Sequence, residues 1–148
     1  MHKGHLAVVA GLLIVDRLLK ALALAAPQAT TLIPGAVKFE LFRNDGIAFS
    51  LPFSGPLVWI LSLVVLAIVA TAAARDLKRG EAVEFETYAL FALGACSNLF
   101  DRVAYGFTVD YLIFFKMSAV NLADAMIVFG ALRLLNRAPS DPARRRAR

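Results

Sequence analysis

Long apolar stretches, each containing or bordered by a few strongly polar residues, set the pattern of the chain. Four can be drawn, over residues 6–26, 57–74, 87–100 and 119–135, and a bilayer-crossing helix needs roughly 20 apolar residues. The second holds no charge and reads as an ordinary lipid-facing helix, whereas the other three carry or border polar residues and are expected to line a site. The third is short. It extends back through Phe85 if Glu84 and Glu86 sit at the interface, since short spans are tolerated by thinning and snorkelling. Between the first two helices the period changes. Val37-Lys38-Phe39-Glu40-Leu41-Phe42-Arg43 alternates apolar with polar and is followed by Asn44-Asp45-Gly46, which predicts a strand and then a turn. Residues 109–115, rich in Val, Tyr, Ile and Phe, predict another strand. The expected fold is mainly α, a polytopic membrane protein of four transmembrane helices with a small outer sheet.

Composition agrees: 59% of the 148 residues are hydrophobic and the mean hydropathy is +0.69, well above soluble domains, which are roughly 45–50% apolar. Basic residues set the orientation. Arg75, Lys78 and Arg79 lie between the second and third helices, and Arg137, Arg144, Arg145, Arg146 and Arg148 follow the fourth. Both regions, and both termini, are expected to be cytoplasmic. In the linkers 27–56 and 101–118, Lys38, Arg43, Arg102 and Lys116 are offset by acidic residues, and both are expected to face outward. Residues 1–138 thus form one domain, and 139–148 a disordered basic tail near anionic lipid. The net charge of +5 needs no nucleic acid, because positive-inside placement accounts for it. Lys3, the apolar run 6–15 and Ala21-Leu22-Ala23 imitate a secretory signal, but Asp16, Arg17 and Lys20 interrupt that pattern and favour a retained helix. The single Cys96 implies no intrachain disulfide and reads as a packing residue.

Ionisable groups in such surroundings are expensive and usually functional. Asp110 lies in the predicted strand, Asp124 follows Asn121 at the start of the fourth segment, and Asn98-Leu99-Phe100-Asp101-Arg102 closes the third. Two adjacent aspartates can hydrolyse a peptide bond, one as base toward water and one as acid toward the carbonyl oxygen or leaving amine. They share a proton, and their pKa values belong to the pair. Arg102, Asn98, Asn121 and Asn44 have the donors to hold carboxylates or substrate carbonyls, while Asp101 is expected to pair with basic groups or cap the helix. Asp16 and Lys20, four apart, form an ion pair that either orients the first helix or serves the site. No phosphate loop, zinc motif or Ser-His-Asp set is visible, so no metal or other cofactor is expected. A proton-coupled carrier would place its carboxylates near the midplane, and a non-catalytic assembly protein could use the same side chains as interhelical hydrogen-bonding groups. Clustering toward one face favours the enzyme.

Five ordered blocks resemble the bacterial lipoprotein signal peptidases (signal peptidase II) from Asp16 to about Ile127. They are Asp16-Arg17-Leu18-Leu19-Lys20, Arg43-Asn44-Asp45-Gly46-Ile47-Ala48-Phe49-Ser50, Asn98-Leu99-Phe100-Asp101-Arg102, Val109-Asp110-Tyr111 and Asn121-Leu122-Ala123-Asp124. The resemblance implies four transmembrane helices, an extracytoplasmic β-cradle, and a catalytic pair at Asp110 and Asp124. It implies that Asp16, Lys20, Asn44, Gly46, Asn98, Asp101, Arg102 and Asn121 support that pair or the substrate. The implied substrate is a prolipoprotein whose signal peptide inserts beside the helices and is cut before a lipid-modified cysteine, with lipid tails between helices. The implied setting is the bacterial inner membrane, with the site near its outer face and no obligate protein partner. Ser97, Val120 and Ala125 stand where the family typically has glycine, phenylalanine and often serine, and the bulk of Ser97 bears on how the third helix packs.

Overall fold

The computed structural model describes residues 3–26, 28–46, 56–78 and 85–136. Along the chain run α1 (Lys3–Ala25), β1 (Thr30–Ile33), β2 (Val37–Asn44), α2 (Pro56–Lys78), α3 (Phe85–Tyr105), β3 (Thr108–Phe114), β4 (Ser118–Val120) and α4 (Leu122–Leu135). The strands form one antiparallel sheet in the order β1-β2-β3-β4, with α2 and α3 inserted between β2 and β3. Across β2 and β3, Phe42 opposes Asp110 and Asn44 opposes Thr108.

Large apolar side chains point outward from the helices. Leu18 on α1, Ile68 on α2 and Phe129 on α4 are each more than 60% exposed, the reverse of a helix bundle folded in water. By length and composition, Leu57–Lys78 is long and apolar enough to cross a membrane.

Two apolar clusters hold the pieces together. Ala23 of α1 meets Val109 and Tyr111 of β3, with Leu19, Phe39, Leu41 and Leu122 around them, so the sheet rests on the end of α1. Val69, Tyr88 and Phe91 join α2 to α3, with Ile127 and Ala131 of α4 packed against them. Helices α3 and α4 approach closely where side chains vanish. A Cβ on Gly94 would stand 2.7 Å from the Ala123 carbonyl oxygen, and one on Gly130 2.8 Å from Phe91 Cβ.

Several boundaries differ from the sequence-based expectation. The third helix continues to Tyr105, so Asp101 and Arg102 lie inside it and not at the head of a linker. It stops where Gly106 adopts φ +85°, its N–H donating to Arg102 O at 3.0 Å, a conformation that suits glycine. The fourth helix starts at Leu122 and not near residue 119, because Ala119 and Val120 pair with Ile113 and Leu112 as the short strand β4. Strands β1 and β4 are not predicted by the hydrophobic pattern; each has only 4 or 3 residues, too few to show alternation. The basic tail 139–148, Arg79, Glu84, Arg137 and the block residues Ile47, Ala48, Phe49 and Ser50 lie outside the described residues.

Candidate active site

Alternation along β3 sends Val109 and Tyr111 toward α1 and leaves Thr108 and Asp110 on the opposite face. Asp110 is fully buried. Asn44 Nδ2 donates to its Oδ2 at 2.9 Å and Asn121 Nδ2 to its Oδ1 at 2.6 Å. Asn44 is itself oriented by Gly46, whose N–H donates to Asn44 Oδ1 at 3.0 Å. Burial, and after it the Asp124 charge, push the Asp110 carboxyl up from 3.8 to about 7, against the two amide hydrogen bonds and Lys20, which favour the ionised form.

Asp124 is the third residue of α4, and Asn121 is that helix's N-cap. The two form a capping box: Asp124 N donates to Asn121 Oδ1 at 2.8 Å, and Asn121 N donates to Asp124 Oδ2 at 3.1 Å. Asn121 therefore touches both carboxylates, with its main chain on Asp124 and its side chain on Asp110. The second Asp124 oxygen accepts from Asn98 Nδ2 at 2.7 Å, and Asn98 Oδ1 accepts from Lys20 Nζ at 2.7 Å. A chain of donors thus links α1, α3 and α4 and ends on the carboxylate.

Behind this chain lies a buried ionic cluster. Lys20 Nζ is 2.6 Å from Asp101 Oδ2 and 3.4 Å from Asp16 Oδ2, with all three side chains fully buried. Arg17 reaches Asp101 Oδ1 at 2.5 Å, and Asp101 Oδ2 also accepts from Val109 N at 3.2 Å. Mutual pairing offsets the desolvation of these charges. Asp16 has a further task. Its Oδ1 accepts from Ala123 N at 3.1 Å and from Tyr111 OH at 3.2 Å, while Leu122 N donates to Tyr111 OH at 2.9 Å. The first-turn N–H groups of α4, which no helical carbonyl can satisfy, are thus met by α1, β3 and the helix's own cap. A carboxylate at that end also complements the helix dipole.

Two cavities open on this arrangement. One, of about 380 Å³, runs between the sheet and α4, lined by Asn44, Asn98, Arg102, Thr108, Asp124 and an apolar wall including Val128 and Phe129. The other, of about 210 Å³, lies among α2, α3 and α4, with Asn98, Arg102 and Asp124 again at its polar end. Arg102 borders both and donates to Gly46 O at 3.2 Å, so it ties down the turn after β2 and makes no direct bond to either carboxylate. Thr108 Oγ1 is buried with no hydrogen-bond partner among the described residues.

The structure brings together Asp16, Lys20, Asn44, Gly46, Asn98, Asp101, Arg102, Asp110, Asn121 and Asp124 in one hydrogen-bonded neighbourhood, joined through Asn98, Asn121 and Arg102. Asp101 pairs with basic groups, and the Asp16–Lys20 pair forms. One expectation needs correction, and the structure answers how Ser97 bears on the packing of α3. Helix α2 is not purely lipid-facing: Val58 is buried and, with Leu61, Ser62 and Val65, walls the smaller cavity. Ser97 does not loosen the packing of α3. It is buried, and its Oγ donates to Asp16 Oδ2 at 2.6 Å while accepting from Arg17 Nη1 at 3.3 Å, so the added hydroxyl is absorbed by the ionic cluster. Val120 and Ala125 line the larger cavity. Sequence reasoning misses the parts played by Arg17, Ser97 and Tyr111. Tyr111 does carry a signal, since a buried tyrosine in an apolar strand needs a partner for its hydroxyl.

Residues 8–138 match the model of the family described as signal peptidase (SPase) II. A lipoprotein signal peptidase of Allorhizobium ampelinum is 35% identical over 128 residues, covering 81% of this chain and 78% of that protein. One from Bifidobacterium longum is 39% identical over 142 residues, covering 86% and 74%. Among solved structures, a bacterial membrane enzyme determined by the in meso method at 2.3 Å resolution superposes with a TM-score of 0.75 at 20% identity, over 91% of this chain and 87% of that one. A second bacterial membrane enzyme, at 1.9 Å resolution, superposes with a TM-score of 0.69. The chain is an integral membrane protein that belongs to the signal peptidase II family of aspartic-type peptidases.

Proposed function

We propose that this enzyme removes signal peptides from lipid-modified prolipoproteins, cutting before the diacylglyceryl cysteine, with Asp110 and Asp124 as the catalytic pair. The observation that carries this reading is the bridge made by Asn121, which holds one carboxylate with its main chain and the other with its side chain. Two acids locked together, one pushed up to about 7 by burial and by its neighbour, suit a pair that shares a single proton near neutral pH. In the shared-proton state one carboxylate takes a proton from water as the oxygen attacks the scissile carbonyl carbon. The protonated partner donates to the carbonyl oxygen. As the tetrahedral intermediate collapses and the C–N bond breaks, the aspartate that took the proton from water gives it to the leaving amine and a hydroxyl of the intermediate returns a proton to the other aspartate. This yields a signal peptide with a new carboxyl terminus and a lipoprotein with a free cysteine amine. The chemistry draws on water and the two carboxyls alone.

In this reading all four helices span the bacterial inner membrane, both termini are cytoplasmic, and the sheet lies on the outer face. The outward-turned apolar side chains of α1, α2 and α4 support that placement. The two cavities that meet at Asn98, Arg102 and Asp124 suit a substrate with two apolar parts, a signal-peptide helix and lipid tails. Gel-shift cleavage of a lipid-modified prolipoprotein in membranes tests the reading. Wild type cuts, whereas Asp110→Asn and Asp124→Asn, each shown to be folded, do not. Normal cutting by either folded variant refutes the assignment of the pair.

A further inference from the structure

Thr108 opens β3 and is only 2% exposed, yet its Oγ1 lacks a hydrogen-bond partner among the described residues. Buried hydroxyls almost always find a partner, because desolvation without compensation is unfavourable. Valine has nearly the same shape and would fill the position without that penalty, so packing alone does not account for threonine here. The location is specific. Thr108 stands opposite Asn44 in the sheet, shares a face of β3 with Asp110, and lines the larger cavity together with Asn44, Asn98, Arg102 and Asp124. Two residues along a strand separate Thr108 from Asp110 by roughly 6.6 Å, about the spacing between alternate residues of an extended peptide laid beside it.

We propose that the Thr108 hydroxyl is a substrate-binding group, hydrogen-bonded to a main-chain amide or carbonyl of the peptide next to the scissile bond. The proposal rests on the peptidase reading of the same site. A hydroxyl both donates and accepts, and an extended peptide presents one donor and one acceptor per residue, so the match needs no particular substrate side chain. The contact aligns the peptide along β3 and delivers its carbonyl carbon to the Asp110–Asp124 pair. In the free enzyme the hydroxyl's bonding capacity is unused by the described protein groups, and the substrate supplies the partner.

The test uses the full-length enzyme in membranes with wild type, Thr108→Val and Thr108→Ser, a lipid-modified prolipoprotein as substrate, and Asp110→Asn as the inactive control. Loss of one neutral hydrogen bond lowers kcat/KM about five- to tenfold in Thr108→Val, chiefly through KM, because the contact exists before the chemical step. Its unfolding temperature equals or exceeds that of wild type. Thr108→Ser, which keeps the hydroxyl, stays within about twofold of wild type in kcat/KM by the same argument. A structural hydroxyl gives the opposite pattern: Thr108→Val unfolds earlier, with kcat/KM per folded enzyme unchanged. That result, or a Thr108→Ser enzyme as slow as Thr108→Val, overturns the proposal and leaves the peptidase reading standing. A wild type that cuts no lipid-modified prolipoprotein overturns both.

Discussion

Replacing Asp110 by asparagine should abolish activity and at the same time stabilise the protein above neutral pH. In the folded state burial and the Asp124 charge push this carboxyl from 3.8 to about 7. The difference, at about 1.36 kcal/mol per pKa unit, amounts to about 4 kcal/mol. The sign follows from which state holds the proton more tightly. Below 3.8 both folded and unfolded chains are protonated and Asp110 contributes no pH dependence. Between 3.8 and about 7 the folded state retains the proton and the unfolded state has lost it, so stability falls as pH rises. Above about 7 the full penalty is present, with about 4 kcal/mol as its ceiling because part of it belongs to the coupled pair. Asparagine carries no charge and escapes this pH-dependent loss, although its NH2 cannot accept from one of the two amides that meet Asp110, a cost that does not vary with pH. Thermal unfolding of wild type and Asp110→Asn in one detergent, from about pH 4 to about pH 8, should show the variant's advantage growing with pH by several degrees, since about 1 kcal/mol corresponds to roughly 2–4 °C at this size. A difference that stays flat, or shrinks as pH rises, refutes the claim that burial holds this carboxyl protonated.

Three further outcomes follow from the contacts around the pair. Asn98→Ala breaks the Lys20–Asn98–Asp124 chain, and losing a hydrogen bond to a charged group lowers kcat about tenfold to a hundredfold, measured on folded enzyme in the cleavage assay. Lys20→Met leaves Asp16 and Asp101 without their shared buried cation and should cost about 3–5 kcal/mol of stability, read as an early unfolding transition. Gly94→Ala drives a methyl toward the Ala123 carbonyl; overpacking of about 1–3 kcal/mol lowers the unfolding temperature. Because Ala123 adjoins Asp124, activity per folded enzyme falls as well.

Much of the site is legible in the sequence. Asp110 and Asp124 stand out because charge is conspicuous in an apolar chain, and Asn44 follows an alternating run that reads as a strand ending in a turn. Asp16 and Lys20, four apart, share a helix face. These are local signals, readable from periodicity and from the cost of polarity in lipid. What the residues do to one another is not local. Asp16 caps a helix whose residues lie 107 positions later, and no spacing rule reaches that far. Strand β4 is too short to show alternation; it exists because β3 offers Leu112 and Ile113 to pair with, and that pairing moves the start of α4 to Leu122, with Asn121 as its cap. Ser97 reads in the sequence as an obstacle to close packing, yet Asp16 and Arg17 turn its hydroxyl into a partner. Thr108 stands just before the strand predicted over 109–115, and only burial without a hydrogen-bond partner among the described residues makes it a candidate contact. Charge, the approximate course of the helices and longer strands, and the family resemblance are written in the chain itself, because hydrophobic period and polarity are properties of sequence neighbours. Which donor meets which acceptor, where α3 and α4 begin and end, and which hydroxyl is left over emerge only on folding, because those depend on packing between segments far apart in sequence.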